Sequence, residues 1–260
     1  MANSNIPQRS AQEQFNRQAE HYDAIWASWS DELLEWMLKY SDPKPGDTVL
    51  DVAAGSGFVS LAFASKGCRV VGTDVSSAML HQAKEAAKDK GLEIQLLEAP
   101  AEEIPVPNHT FDIVSCRLAP HHFQSVPNFL NEAFRVLKNG GKLIIADTSV
   151  PEDEELDEWQ NRIEKVRDPS HVRNYSASEW KSMTEETGFT IRTLDTMDAS
   201  ISIDMQSRLT KAGCNDHQAD EVIKMLTQAS DNIRKQYRIV AHGSNFTFAW
   251  QRVTLLATKQ

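Results

Sequence analysis

From Thr48 to Val150 the chain alternates between two rhythms of apolar residues. Short, nearly unbroken apolar runs ("TVLDVA", "RVVGTDV", "EIQLLEA", "FDIVSCRL" and "KLIIADTSV") read as buried strands. Between them, "GFVSLAFASKG", "SAMLHQAKEAAKDKG" and "VPNFLNEAFRVLKNGG" repeat apolar positions every three or four residues, as helices do. Gly67 and Gly91 close the first two of these helices, and Ser76 or Ser77 caps the second. A loop carrying Pro100, Pro105 and Pro107 separates the third and fourth strands. Alternation of this kind predicts an α/β fold, a parallel sheet with helices on both faces.

The flanks follow other patterns. Residues 1–10 are polar and read as a disordered tail. Residues 11–40 are helical in pattern and rich in aromatics, with Tyr22, Trp26, Trp29 and Trp36, until "SDPKPGD" stops the helix. After Pro151, "PEDEELDEWQNRIEKVRD" predicts an acidic amphipathic helix with a solvated face. "SASEWKSMTEETGF" predicts another helix, capped by Ser176 or Ser178 and ended by Gly188, and "TIRTLDTM" a sixth strand. Residues 200–243 are polar and helical, without an evident strand. "NFTFAWQRVTLLATK" reads as one long alternating strand. The helical stretch between these last two strands is expected to be an insert over one end of the sheet.

Composition narrows the partners. A hydrophobic fraction of 40% and a charged fraction of 25% are those of an ordinary soluble globule. The net charge of −10 argues against a nucleic-acid surface. Cys68, Cys116 and Cys214 are widely spaced, without metal-ligand spacing, and their odd number argues against a disulfide framework. A reducing, cytoplasmic setting fits them. The N-terminus "MANSNIPQRSAQEQF" lacks the apolar core of a secretory signal. No run approaches the roughly 18 apolar residues of a membrane span, so no stable membrane insertion is expected.

The candidate chemistry lies at the strands' carboxyl ends, where open parallel sheets bind ligands. The turn "AAGSG" follows the first strand; Gly55 and Gly57 permit unusual dihedrals and close backbone approach. Asp74 closes the second strand, where a carboxylate commonly takes both ribose hydroxyls. A dinucleotide turn would read G-x-G-x-x-G, but Ser60 stands at the third glycine's place and no phosphate-binding lysine is present. A sulfonium with an amino-acid tail suits this turn better than a pyrophosphate.

These segments resemble the class I S-adenosylmethionine-dependent methyltransferases. "DVAAGSGFVSLAFA" is similar to their first motif and "VVGTDVSSAML" to their second, while "AEEIPVPNHTFDIVSCRLAPHHF" and "EAFRVLKNGGKLIIADTSVPED" resemble the next two. The match is greatest to the UbiE-like, methyltransferase type 11 group. It implies a Rossmann-like, seven-stranded, mostly parallel sheet with an antiparallel last strand. It further implies one domain over residues 11–260, divided into an N-terminal helical lid (11–44), a cofactor-binding core (46–150) and a helical insert capping the active site (200–243). By the same resemblance Asp51 supports the turn, Ala53, Gly55 and Gly57 line the methionine end, and Asp74 takes the ribose. Val75 and Met79 then lie by the adenine, Ala101 and Glu102 edge it, Arg117 and Leu118 flank the sulfonium, and Tyr22 closes over the cofactor. One departure stands out. Relatives usually carry an acid just before "AE" to accept from the adenine amino group, and here Pro100 stands there, leaving backbone groups, Glu102 or Glu98.

"RLAPHHF" places His121 and His122 after the fourth strand, where a transferred methyl group should sit, so either is a candidate base, His122 first. Both could equally cap the next helix or fill the pocket wall. Two adjacent histidines with no third ligand make a poor metal site, and no metal is expected. "RDPSHVRNYS" offers His171, Arg173 and Tyr175 to a substrate, Arg173 as partner for a carboxylate or phosphate. A solvated loop is the plain alternative. Trp26 and Trp29 are candidates for a substrate wall, or for packing. Cys116, on a buried strand, reads as packing. The expected activity is methyl transfer to a small molecule, compact rather than prenylated, at an oxygen, nitrogen, sulfur or carbon atom. The alternatives are a cofactor-binding protein without methyl transfer and a methyltransferase acting on protein. Monomer and homodimer both stay open.

Overall fold

A computed structural model describes residues 10–18, 22–198 and 203–260, with the side chains of residues 18, 22–31 and 198 left out of the description. Asp51, next to last in strand β1 (Thr48–Val52), sits between two parallel neighbours: β2 (Arg69–Asp74) on one side and β4 (Phe111–Arg117) on the other. The sheet extends outward through β3 (Gln95–Glu98) and β5 (Leu137–Thr148), then through two strands from the C-terminal third, β6 (Phe189–Asp198) and β10 (Gln251–Lys259). The order is β3-β2-β1-β4-β5-β10-β6, with β10 antiparallel to both neighbours. The expected seven-stranded sheet with an antiparallel last strand is therefore present. The connection from β1 turns to one side and that from β3 to the other, and the crevice opens beyond their carboxyl ends.

Alternation along the strands loads both faces. Leu50, Val52, Val114, Cys116, Leu143 and Ile145 pack against α5 (Val126–Val136) and α7 (Ala177–Glu186) through Phe129, Leu130 and Trp180. Val49, Ile113, Ile144 and Ala146 point the other way, onto Leu33, Met37, Val59 and Phe63 of the helices before and after β1. Those helices are α2 (Tyr22–Ser41) and α3 (Phe58–Ser65), with α4 (Ser77–Asp89) beyond them. Burial of this kind is worth about 1.5–3 kcal/mol per large apolar side chain, which is why these positions, and not surface propensity, decide the elements.

Several elements depart from the sequence reading. The N-terminal stretch is two helices, α1 (Ala11–Gln18) and α2, not one. The fifth helix stops at Val136, because β5 starts early: Leu137 already pairs with Phe111, and the "NGG" stretch bends through Gly140 (φ 77°) before regular pairing resumes at Lys142. The last strand is broken at Ala249–Trp250 into β9 (Asn245–Phe248) and β10. β9 pairs with two short strands that the sequence does not announce, β7 (Ile203–Asp204) and β8 (Val240–His242), inside the stretch read as purely helical. With α8 (Met205–Ala212), α9 (Asp216–Thr227) and α10 (Asp231–Gln236) they form a cap seated on α6 (Glu154–Arg167), and none of the cap's residues lines the pocket beside Asp74. The cap has a core of its own on that helix, built from Ile163, Met205, Leu209, Leu226, Tyr237 and Trp250. At its base Glu164 is buried between Arg167 and Arg208, at 2.7 and 2.9 Å, and accepts from Trp250 Nε1. The caps of α4 and α7 resolve to Ser76 and Ser176, the latter in a reciprocal box with Glu179.

The β1–α3 turn is the strained part of the sheet's edge. Ala53, Gly55 and Gly57 all lie at positive φ (55°, 56° and 87°). A Cβ on Gly57 would meet Ala83 Cβ at 3.0 Å and its Cα at 3.3 Å. Gly57→Ala therefore combines left-handed strain with a backbone clash and is expected to cost about 1–3 kcal/mol. The midpoint of urea unfolding should fall accordingly, and an unchanged midpoint would contradict the packing described.

Candidate functional site

Asp74 ends β2 with its carboxylate turned back over β1. Oδ2 accepts from Gly55 N–H at 2.9 Å and Oδ1 from Ser76 N–H at 2.8 Å. The acid thus ties the turn to the start of α4, and each oxygen keeps a lone pair. Burial raises its pKa, and the two backbone bonds work against that rise. Asp51 lies one layer deeper and fully buried, held by Ser60 Oγ at 2.6 Å and Ser115 Oγ at 2.9 Å. Desolvation pushes it up to about 6, against those two hydroxyl bonds.

Beside Asp74 a pocket of about 460 Å³ opens. The sheet side contributes Ala53, Asp74, Val75, Ala101, Glu102 and His122, all singled out in the sequence. Glu98, Ala99 and Pro100 complete the edge where the usual acid is replaced. The other walls are the turn after β4, through Ala119, Phe123 and Gln124, and α1, through Ala11, Gln12 and Phe15, which the sequence assigns to the helical lid without singling out these residues. Gln12 Nε2 donates to Val75 O at 2.8 Å, Ser76 Oγ to Asn16 Oδ1 at 2.6 Å, and Gln14 Nε2 to Ala212 O in the cap at 3.2 Å. The only signal in the sequence was a string of amides, Gln12, Gln14 and Asn16, at a spacing of two; nothing there says which loop they meet.

The other residues that the sequence points to fall in different places. Met79 is buried beneath the turn, its Cε 3.3 Å from where a Gly55 Cβ would be. Glu102 spends Oε1 on the N–H groups of Gln124 and Ser125, at 2.9 and 3.2 Å, bracing the entry to α5. Arg117 lies over the Phe58 ring, 4.7 Å from its centroid, at the turn's far side. Leu118 takes φ 50° as the chain leaves β4. Arg173 is paired with Asp157 and Glu179 at 2.7 and 2.8 Å, and Tyr175 stacks edge-on with Trp180; neither lines the pocket. The side chains of Tyr22, Trp26 and Trp29 lie outside the described residues.

The histidines converge. His121 and His122 occupy a single 3-10 turn after β4 (Pro120–His122), ring centroids 4.2 Å apart, and His171 comes within 5.7 Å of His121. His121 Nδ1 lies 2.6 Å from Asp147 Oδ1, and its N–H donates to Asp147 Oδ2. Asp147 ends β5 within "IIADT", an acid at a strand's carboxyl edge that could have been flagged. His122 Nδ1 lies 3.1 Å from Ser170 Oγ, which donates to Asp168 Oδ1 at 2.6 Å. The Phe15 ring stands edge-on against His122 at 5.0 Å. Burial, and then the neighbouring His121, pushes the His122 pKa well below 6.5. Burial opposes ionisation of Asp168, yet His122 and Arg167 hold its pKa below 3.8. His171, bonded through Nε2 to Asn161 at 3.0 Å, is also pushed down by burial. Among the described residues, no group of three or more His, Cys, Asp or Glu could hold a metal ion. No described helix is long and apolar enough to cross a membrane.

Asp51 has a measurable cost. Its folded pKa of about 6 exceeds the ordinary 3.8, so its contribution to stability is favourable at low pH and declines as pH rises through that window. The difference corresponds to about 3 kcal/mol at pH 7. Asp51→Asn should therefore gain on the wild type between pH 4 and 7 in paired urea titrations. Parallel curves would show that Asp51 carries no such penalty.

Known proteins share this sequence pattern and fold. A family model described as "Methyltransferase domain" matches residues 50–145. The chain is 32% identical over 251 residues to the uncharacterized methyltransferase YcgJ of Bacillus subtilis, covering 95% of this chain and 98% of that one. The YcgJ crystal structure superposes with a TM-score of 0.84 over 88% of this chain and 98% of that one, at 31% identity. A putative methyltransferase of Bacillus halodurans also gives 0.84, at 30% identity over 88% and 99%. A demethylmenaquinone methyltransferase of Symbiobacterium thermophilum is 35% identical over 153 residues, 54% of this chain and 59% of that one.

Proposed function

We propose the acceptor and the roles of the pocket residues from one premise: the chain belongs to the class I S-adenosylmethionine-dependent methyltransferases, sharing nearly its whole length with YcgJ. It is an enzyme of that family, and its methyl donor is S-adenosylmethionine.

The residues present fit that molecule. The turn meets the pocket through the small side chain of Ala53, while Gly55 and Gly57 let it pack closely on α4, where a Cβ would come within 3.3 and 3.0 Å of Met79 and Ala83. Asp74 offers the free lone pairs of a buried carboxylate to a ribose. Val75, Ala99 and Ala101 present small apolar surfaces to an adenine ring. Glu98, already within 3.4 Å of Gln12 Nε2, is the carboxylate nearest the place that Pro100 vacates. When bound, the sulfonium supplies a methyl carbon that is already activated for attack.

The protein's part is to bind, orient and keep water out. Gln12, Asn16 and Gln14 fasten α1 to the second-motif loop and to the cap, closing one side of the pocket with Phe15. His122 stands in the same pocket as Asp74, at the acceptor end, with an imidazole that burial keeps neutral. That juxtaposition carries the reading: methyl transfer to a compact small molecule, with His122 as the group that meets the acceptor. Arg173 is best read as bracing α6 against α7 rather than as a substrate anchor.

Isothermal titration with S-adenosylhomocysteine tests the donor site. Asp74→Ala should weaken binding about 10–100-fold, the worth of hydrogen bonds to a charged acceptor. His122→Ala should leave that affinity within a few-fold but abolish label transfer from methyl-labelled S-adenosylmethionine in an acceptor screen. Undiminished affinity in Asp74→Ala, or full turnover in His122→Ala, would overturn the respective assignment.

A further inference from the structure

The loop after α6 reaches back to the histidine turn. Val172 and Arg173 donate their N–H groups to the His121 carbonyl at 2.8 and 3.2 Å. Asp168 opens the loop with a tight turn: Oδ1 accepts from Ser170 N–H at 3.0 Å, and its carbonyl accepts from His171 N–H at 2.9 Å. These bonds set Ser170 Oγ between Asp168 Oδ1 at 2.6 Å and His122 Nδ1 at 3.1 Å. All three residues are buried, with Arg167 Nη1 3.8 Å from the other Asp168 oxygen.

A hydroxyl has one hydrogen. Beside an arginine and a backbone N–H, Asp168 is an acceptor, and the Ser170 hydrogen is spent on it. Ser170 Oγ can then only accept from His122, so the His122 ring hydrogen sits on Nδ1. Nε2 carries the lone pair. It has no hydrogen-bond partner among the described residues, and unlike His171 Nδ1 it is not among the sealed, unpartnered atoms. His122 lines the pocket, so Nε2 is the nitrogen an acceptor meets.

We propose that Ser170 and Asp168 are positioning residues that hold His122 in the Nδ1–H tautomer, and that the acceptor is a molecule bearing a hydrogen on the atom to be methylated: a hydroxyl, a thiol or an N–H. The inference rests on the methyltransferase reading only for its acceptor half. The acceptor donates its hydrogen bond to Nε2. As its electron pair forms the bond to the methyl carbon, its proton passes to Nε2 and the carbon–sulfur pair stays on sulfur. The products are the methylated acceptor, S-adenosylhomocysteine and an imidazolium whose Nδ1–H still points down the Ser170–Asp168 line. A tertiary amine or a thioether brings no such hydrogen, and Nε2 gives it nothing.

The tautomer is read directly by two-bond proton–nitrogen correlation on full-length protein labelled with nitrogen-15 in histidine, with His122→Gln identifying the resonance. The wild type should show a pyrrole-type Nδ1 and a pyridine-type Nε2. Ser170→Ala removes the acceptor and should move hydrogen onto Nε2; Ser170→Thr, which keeps the hydroxyl, should restore the wild-type pattern. Asp168→Ala frees the Ser170 hydrogen to donate to Nδ1 and should give the same swing, while the serine pair keeps the test valid if this variant fails to fold. A wild type carrying hydrogen on Nε2, or a Ser170→Ala spectrum like that of the wild type, overturns the relay. An acceptor screen separates the second half. Ser170→Ala should lower kcat on hydroxyl, thiol or N–H acceptors at least about tenfold, with KM and S-adenosylhomocysteine affinity within about twofold. Turnover confined to tertiary amines or thioethers would overturn the acceptor class while leaving the tautomer standing. Failure of the wild type to bind S-adenosylhomocysteine would instead strike the methyltransferase site and not the relay.

Discussion

The bond from Gly55 N–H to the Asp74 carboxylate is the interaction on which the site turns. It crosses from the end of one strand to the loop after its neighbour, so it exists only while β1 and β2 pair in the observed register. It also takes up an amide that the turn's positive-φ residues would otherwise aim at nothing. Strain at Ala53, Gly55 and Gly57 is tolerated because the acid and the Ala83 face of α4 over-determine the backbone there. The result is a small-residue turn beside a buried carboxylate that lines the pocket. That is a surface a nucleoside can lie on.

The opposite wall depends on a second tether. His121 and His122 leave β4 in one short turn, and two acids from separate elements anchor them: Asp147 from the next strand and Asp168 from the loop after α6. The cap is joined to this wall through buried charge. Glu164, one turn before Asp168, binds Arg167 and also holds Arg208 and Trp250 of the cap region. Removing one partner of such a group leaves a buried charge uncompensated, at several kcal/mol. The cap, α6 and the histidine wall are therefore packed together, and α1 bridges them to the donor loop through Gln14 and Gln12.

Much of the donor half was legible in the sequence, because it is local. The strand, the small-residue turn and an acid at the end of the next strand lie within Thr48–Asp74, and their spacing points to an adenosine ligand, which the resemblance narrows to S-adenosylmethionine. The histidine turn was legible as a place, since it follows a buried strand. What held it was not: Asp147, Asp168 and Ser170 lie 26 to 48 residues from the histidines, and only the tertiary fold brings them in. Phe15 and Gln12 were hidden for the same reason. The short strands β7 and β8 escaped because two or three residues show no period, and β8 is exposed throughout. The long C-terminal strand was misread as continuous because Trp250 keeps the apolar alternation while its side chain serves the cap core and not the main sheet. Arg173 misled by composition: a cation in a loop near a site looked available, yet two helix carboxylates already hold it.

The central claim is that donor binding closes the Asp74 turn, the Glu98–Glu102 edge and α1 around one ligand. Hydrogen–deuterium exchange of the full chain with and without S-adenosylhomocysteine addresses all three at once. The account predicts slowed exchange at residues 53–57 and 74–76, at 98–102, and along 11–18, with the outer face of β3 and the 84–95 region unchanged. Protection that spares α1 and the β1–α3 turn, or none at all, would contradict it.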